Sequence, residues 1–431
     1  MRITDVRALE ILDSRGFPTV EAEVWVDGRF AGSAQVTAGA SRGSHEAMEL
    51  RDGGDRWMGK GVRKAVENIR SVIAPAIKGM EADTPQIDSI LHELDGTPDK
   101  SRLGANATLA VSLAVGRAVS ASRNIPLYRY VMELTGVQRP TIPTPMVNMI
   151  SGGLHASWNL DIQDFLIIPL RSGSLKDALE DVGAVYHTLR NLLAKRGFST
   201  LLADEGGFSP ACKSSWEVLE ILLEAVEECG LEVGKDVAPA LDIAATHIYE
   251  QGKYVLRKEG LVLTSEEMVG YLVELCGRYG VVSLEDGCAE DDLYGWLILT
   301  ERLGGKVQLV GDDLFTTSLA RLRMGAERQL ANSALIKPNQ VGTLTETINA
   351  IKLCRELGYT PIVSARSGDT EDNFIADLAV GSGVSQIKIG SIARSERTSK
   401  YNRLLRIEDE LAGSAAYLGG EVLRRGYNPV G

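Results

Sequence analysis

No stretch of the chain stays apolar long enough to cross a bilayer. The longest candidate, around Leu109 to Val119, is interrupted by Arg117, whereas a membrane helix needs ~20 such residues. A secretory leader is not expected, because Met1-Arg2-Ile3-Thr4-Asp5 runs straight into folded-looking sequence. Excess positive charge is also lacking. The chain has 46 Lys and Arg against 58 Asp and Glu, a formal net charge of −12, which argues against nucleic acid or an anionic membrane as a partner. Cysteine is scarce: five residues, an odd number with no paired metal-ligand spacing. Reduced thiols and a cytoplasmic setting are therefore expected, with Cys229, Cys276 and Cys354 as small core or surface residues. Internal repeats, charge blocks and low-complexity segments are absent, so no linker or disordered tail is indicated.

A chain of 431 residues has room for two domains, or for one large barrel with an appendage. The first part reads as an α+β unit. Val20 to Val26 alternates with period two, Asp27-Gly28 supplies a hairpin turn, and Arg29 to Val36 runs back. The segment Thr37 to Ser44 is made of small residues apart from Arg42 and reads as a mobile loop whose backbone can approach a ligand. Helical patterns follow at Gly61 to Ala74, Thr84 to Leu94 and Ala105 to Ser122. Three prolines between Arg139 and Pro145 mark the domain boundary, giving residues 1–138 as a capping domain and 139–431 as a barrel.

After the boundary, eight strand-like runs recur: Met146 to Ile150, Phe165 to Pro169, Ala238 to Asp242, Val281 to Glu285, Val307 to Asp312, Ser333 to Lys337, Thr360 to Ser364 and Ser385 to Ile389. The later ones follow the ~30-residue pitch of a βα unit in a closed barrel. The second follows the first too closely for a helix and is expected to pair antiparallel. Active sites of such barrels lie at the carboxyl ends of the strands, and those ends carry Asp242, Glu285, Asp312, Lys337, Arg366 with Ser367, and Lys388. Three carboxylates at one rim demand a cation, since each unpaired ion has lost its water shell. Oxygen-only donors favour Mg²⁺ over zinc. The loops add His155 after the first barrel strand and Glu205 in Asp204-Glu205-Gly206-Gly207. Lys337, beside metal ions and other cations, is expected to have its charged form disfavoured and to act as a base near neutral pH. Arg366 and Ser367 form a plausible phosphate clamp. These parts suit removal of a proton α to a carboxylate, with loss of a hydroxyl protonated from the opposite side.

The chain resembles enolase over nearly its whole length. The resemblance rests on Leu12-Asp13-Ser14-Arg15-Gly16, Leu103-Gly104-Ala105-Asn106-Ala107, Asp204-Glu205-Gly206-Gly207-Phe208, Ser283-Leu284-Glu285-Asp286, Gly311-Asp312-Asp313-Leu314, Gly342 to Thr347 and Lys400 to Glu408. It implies an N-terminal α+β domain and an α/β TIM barrel with an antiparallel second strand. Enolase relatives use a Lys or His base with one or two Mg²⁺ ions. Position by position, the resemblance implies Asp242, Glu285 and Asp312 as ligands of a first Mg²⁺ and Ser41 as the loop serine that closes on a second. Lys337 matches the base, Glu205 the general acid, Lys388 the contact to the substrate carboxylate, and Arg366 with Ser367 the phosphate contacts. His155 and Gln163 match lining residues. The implied partner is a small anionic phosphorylated substrate, and a homo-oligomer, dimer or octamer, is implied as well.

The sequence departs from the family pattern at several of these positions. Ala365 stands where enolases carry histidine, and Asp164, at the place of a catalytic glutamate, is one methylene shorter. Arg42 adds a cation to the loop, Ile389 replaces a threonine and Pro338 an apolar residue. The implied activity is dehydration of 2-phosphoglycerate to phosphoenolpyruvate, or the same enol chemistry on a related phosphorylated or phosphonate acid. A non-catalytic binding paralogue is the third reading.

Overall fold

A computed structural model describes residues 1–39, 43–171 and 173–423. Its N-terminal part opens with an antiparallel sheet of β1 (Ile3–Leu12), β2 (Pro18–Val26) and β3 (Arg29–Gln35). The expected hairpin is present. Asp27 and Gly28 both have left-handed φ, 49° and 79°, the geometry that matches the twist of the flanking strands. β1 was not anticipated from the sequence; its inward residues Ile3, Val6 and Ala8 are separated by partly covered ones, which blurs the period-two signal. The helical run expected from Gly61 to Ala74 begins at Arg63 and is split into Arg63–Asn68, a π turn at Ile69–Ile73 and a last turn at Ala74–Ile77. Pro75 explains the split, because it cannot donate the backbone hydrogen bond that a continuous α-helix requires. Helix α1 (Thr84–Asp95) is followed by α2 (Ala105–Ser122), which is nearly all buried. An unanticipated helix, Leu127–Thr135, completes this part.

The proline-rich connector is extended as expected, and it is stitched in place: Thr141–Ile142 pairs parallel with Ala416–Tyr417. Beyond it, eight strands close into a barrel. They are β4 (Thr144–Ser151), β5 (Asp164–Pro169), β6 (Val237–Asp242), β7 (Ser283–Glu285), β8 (Gln308–Gly311), β9 (Ser333–Ile336), β10 (Thr360–Ser364) and β11 (Gln386–Lys388). β5 runs antiparallel to both β4 and β6, and the remaining pairs are parallel. Inside the barrel Met146, Leu166, Ile168, Ala240, Val310, Leu335 and Ile362 form a core of their own, so the interior is packed rather than hollow. The fold is the expected α/β class. A small antiparallel sheet of Tyr249–Glu250, Lys253–Leu256 and Leu261–Leu263 was not foreseen; its strands are too short to carry a periodic pattern. Among the described residues no helix is long and apolar enough to cross a membrane.

The N-terminal part is locked onto the barrel near the carboxyl ends of its strands. Helix α3 (Leu344–Glu356) has its first amides capped from the other unit: Thr345 N donates to Asp88 Oδ2 at 2.9 Å, and Leu344 N to Ser112 Oγ at 2.9 Å. Arg117 of α2 forks onto Asp372 at 2.6 and 2.8 Å. This is the same Arg117 that breaks the apolar run in the sequence. Ala38 forms an antiparallel bridge with Gly368, just past Ser367.

Candidate active site at the barrel mouth

Register places the acids. Glu285 ends β7 directly beside Asp242, which ends β6, and Asp312 follows Gly311 at the end of the neighbouring β8. Lys337 follows β9, Ser364-Ala365-Arg366-Ser367 turns off the end of β10, and Lys388 ends β11. A cavity of about 40 Å³ lies among them. Its wall includes His155, Gln163, Glu205, Asp242, Asp312, Lys337, Arg366, Ser367 and Lys388, all expected from the sequence. Two expected residues stand back from it. Glu285 sits behind Lys388, whose ammonium donates to Glu285 Oε2 at 2.6 Å and to Asp242 Oδ2 at 2.8 Å. Asp164, expected in a catalytic role, sits behind His155. It is wholly buried and accepts from Asn148 Nδ2 at 2.5 Å and Ser151 Oγ at 2.9 Å, with His155 Nδ1 at 3.2 Å. Its shorter side chain is spent on that anchoring. Ser41 and Arg42, expected on the closing loop, lie outside the described residues.

Glycines aim Glu205. Gly206 has φ +86°, and a Cβ there would meet the Ala393 carbonyl oxygen at 2.7 Å; one on Gly207 would meet Asn148 Oδ1 at 2.7 Å. The tight turn they permit leaves Glu205 buried at the cavity wall. Gln163 Nε2 donates to Asp242 Oδ2 at 3.2 Å, tying the β4–β5 loop to the acid rim.

Charge settles the state of each group. Burial and then the Asp242 carboxylate hold Glu285 well above the usual carboxylate range. Burial opposes the charged form of Lys388, but Asp242 and Glu285 outweigh it and keep the ammonium. Lys337 departs from expectation. Burial disfavours its charge, yet its ion pair with Asp312 prevails and raises its pKa. Glu205 departs as well: burial would raise it, but His155, Arg397, Lys388 and Lys337 bring it down to about 2. The proton sits instead on His155. Burial works against that imidazolium, but Asp164 and Glu205 push its pKa up to about 9.

The donor chemistry fits a hard divalent cation, because carboxylates come from three neighbouring strand ends, Asp242 and Glu285 buried and Asp312 partly so, and Glu285 is burdened by like charge. The expected triad is nevertheless not gathered in this arrangement. Among the described residues, the acid and histidine groups whose ligand atoms lie within 4.8 Å of one another are His155–Asp164–Glu205 and Asp286–Asp312–Asp313. Lys388 between Asp242 and Glu285, and Lys337 on Asp312, supply the neutralising charge.

Several neighbours escaped the sequence reading. Glu46 Oε2 accepts from Arg366 Nη1 at 2.9 Å, and Gln340 Nε2 reaches both Asp312 Oδ1 at 3.0 Å and Glu46 Oε1 at 3.3 Å. Arg397, wholly buried, donates to the carbonyls of Arg366 at 2.7 Å and Ser367 at 2.8 Å. No local pattern marks contacts made across hundreds of residues or from inside a helix. Asp313, also on the wall, was within reach as the second acid of Asp312-Asp313.

Fold and site define a capped barrel protein of the kind that works at the carboxyl ends of its strands. Two family models cover the chain: that of the enolase N-terminal domain matches residues 3–131, and that of the enolase C-terminal TIM barrel domain matches residues 139–425. The chain belongs to the enolase family, and these domains point to a lyase-type enzyme and to use of a divalent metal.

Proposed function

We propose that the protein is a Mg²⁺-dependent carbon–oxygen lyase. It removes the α-proton of 2-phosphoglycerate, or of a close phosphorylated or phosphonate acid, and releases phosphoenolpyruvate or a related enol product. The observation that carries this reading is a single cavity bordered by Lys337, Lys388, the acid rim and the Arg366–Ser367 pair. Such a cavity offers a base, a carboxylate contact and an anion clamp to one small molecule.

Asp242, Glu285 and Asp312 would hold the first ion, and Ser41 would join a second. Bound there, Mg²⁺ supplies positive charge for the second negative charge that develops on the substrate carboxylate. Lys388 gives that carboxylate a further cation. Once Asp312 is engaged elsewhere, Lys337 loses the partner that keeps it charged, while Arg366 and Lys388 still disfavour its ammonium. Its Nζ then takes the α-proton. Glu205 with His155 returns a proton to the leaving hydroxyl, Gln163 orients the wall, and Asp164 acts through His155. Arg366 and Ser367 grip the phosphoryl group with a forked guanidinium and a hydroxyl. Arg42 of the closing loop adds to the positive field that an anionic substrate needs on a chain of net charge −12. Residues 1–138 serve as the cap and 139–431 as the catalytic barrel, in a cytoplasmic homo-oligomer, dimer or octamer.

The withdrawn Asp164 and the small Ala365 favour a second reading, a specialised paralogue acting on a phosphonate acid, such as a carboxyphosphonoenolpyruvate synthase. Purified protein with Mg²⁺ and 2-phosphoglycerate, followed at the ultraviolet band of the enol product and by α-proton exchange into deuterated water, decides between them. Fast product formation supports glycolytic dehydration. Exchange with little elimination supports the specialised paralogue, and neither signal refutes both.

A further inference from the structure

Beside Ala365 lies a second, partly open space of about 30 Å³. It shares Ser364 and Ala365 with the site cavity, so the two spaces meet at these residues. Its wall includes the apolar Leu109 and Leu113 of α2, Pro338 next to the base Lys337, Phe374 and Ile375, together with the uncharged polar Gln35, Thr37 and Asn339. The charged groups that border it are already committed. Asp369 pairs with Lys400 at 3.0 Å, and Asp372 with the Arg117 fork. A void of this size has room for one or two waters or a methyl group, and a wall carried mainly by aliphatic and aromatic side chains offers more contact to the methyl group than hydrogen bonds to water. The space therefore suits carbon better than water.

We propose that this annex is a specificity subsite that takes a one- or two-carbon apolar branch of the substrate. The inference rests on the proton-abstraction reading above and narrows it to a class: branched phosphorylated or phosphonate hydroxy acids. The chemistry fixes where the branch sits. The α-carbon must keep its hydrogen, its carboxylate and its phosphoryl group, so the carbon next to it is the one that can carry an extra methyl. Ala365, just past the end of β10, borders both spaces, with Pro338 next to the base on the annex wall and Arg366 of the clamp on the site wall. One methylene fitted into an apolar pocket changes selectivity by about 10- to 200-fold.

The test compares 2-phosphoglycerate with its homologue bearing a methyl on C3. Binding is measured by calorimetry with Mg²⁺ present, and turnover alongside it. Wild-type protein is expected to prefer the methyl homologue by at least about 10-fold. Ala365→Val fills the annex from the site side and should abolish that preference. Leu113→Phe fills it from α2, at a residue that is not on the site-cavity wall, and should abolish the preference while binding the parent acid as wild type does. An unchanged preference in the folded variants, or a wild type that binds the parent at least as well as the homologue, overturns the subsite. Failure of wild type to bind either acid overturns the proposed function itself, so the two failures are distinct.

Discussion

Asp88→Asn should stabilise the protein at neutral pH and not in acid. Asp88 is fully buried on α1, where one carboxylate oxygen caps Thr345 N at 2.9 Å and the other has no partner. Burial, opposed only in part by Ser112 and Thr345, pushes its pKa from 3.8 up to about 6. The sign follows from linkage. A folded-state pKa above the unfolded one stabilises the native state fully below pH 3.8, and that contribution is lost as pH rises through about 6. The ionised native carboxyl at pH 7.5 then carries a penalty of about 3 kcal/mol relative to the unfolded chain. Asparagine keeps an oxygen for Thr345 N and carries no charge, so it escapes the penalty. For 431 residues the gain corresponds to roughly 3 °C in melting temperature, from an unfolding entropy of about 2.1 cal/mol/K per residue. Thermal melts of wild type and variant at pH 4 and pH 7.5 measure the difference at each pH. The variant should gain on the wild type as pH rises. A difference that stays constant, or that moves against the variant at higher pH, would refute the reasoning.

Three further outcomes concern the chemistry. Lys337→Ala should slow α-proton exchange by about 10²- to 10⁴-fold, the usual contribution of a positioned base, and exchange within threefold of wild type would remove Lys337 from that role. Ala365→His combined with Asp164→Glu should raise dehydration of 2-phosphoglycerate; no rise means these positions do not limit it. Arg366→Lys loses the fork that meets a phosphoryl group and also the bond to Glu46, so the apparent affinity for the phosphorylated acid should fall more than turnover does. Steady-state kinetics giving an unchanged KM would count against the clamp.

How much was readable beforehand depends on how local the signal is. All eight barrel strands were visible as short, mainly apolar strand-like runs because strands buried on both faces leave a nearly continuous apolar record. The antiparallel second strand was legible because too few residues separate it from the first to build a crossover helix. By contrast, β1 hides in a sheet whose outer face is half covered, and the strands between Tyr249 and Leu263 are too short to show a period. At the site, strand ends announced Asp242, Glu285, Asp312, Lys337 and Lys388. Nothing along the chain showed that Asp164 would be drawn behind His155, or that Glu46 would meet Arg366 from 320 residues away. The charge states were the least legible. Lys337 and Glu205 take theirs from Asp312 and His155, contacts that exist only once the barrel closes.

The most direct test of the account locates the metal. Crystals soaked in Mn²⁺ as a stand-in for Mg²⁺ and read by anomalous scattering should show an ion shared by Asp242, Glu285 and Asp312, with the Lys388 ammonium withdrawn from between the first two. Anomalous density confined to the Asp286–Asp312–Asp313 group, or none at the barrel mouth, would contradict it.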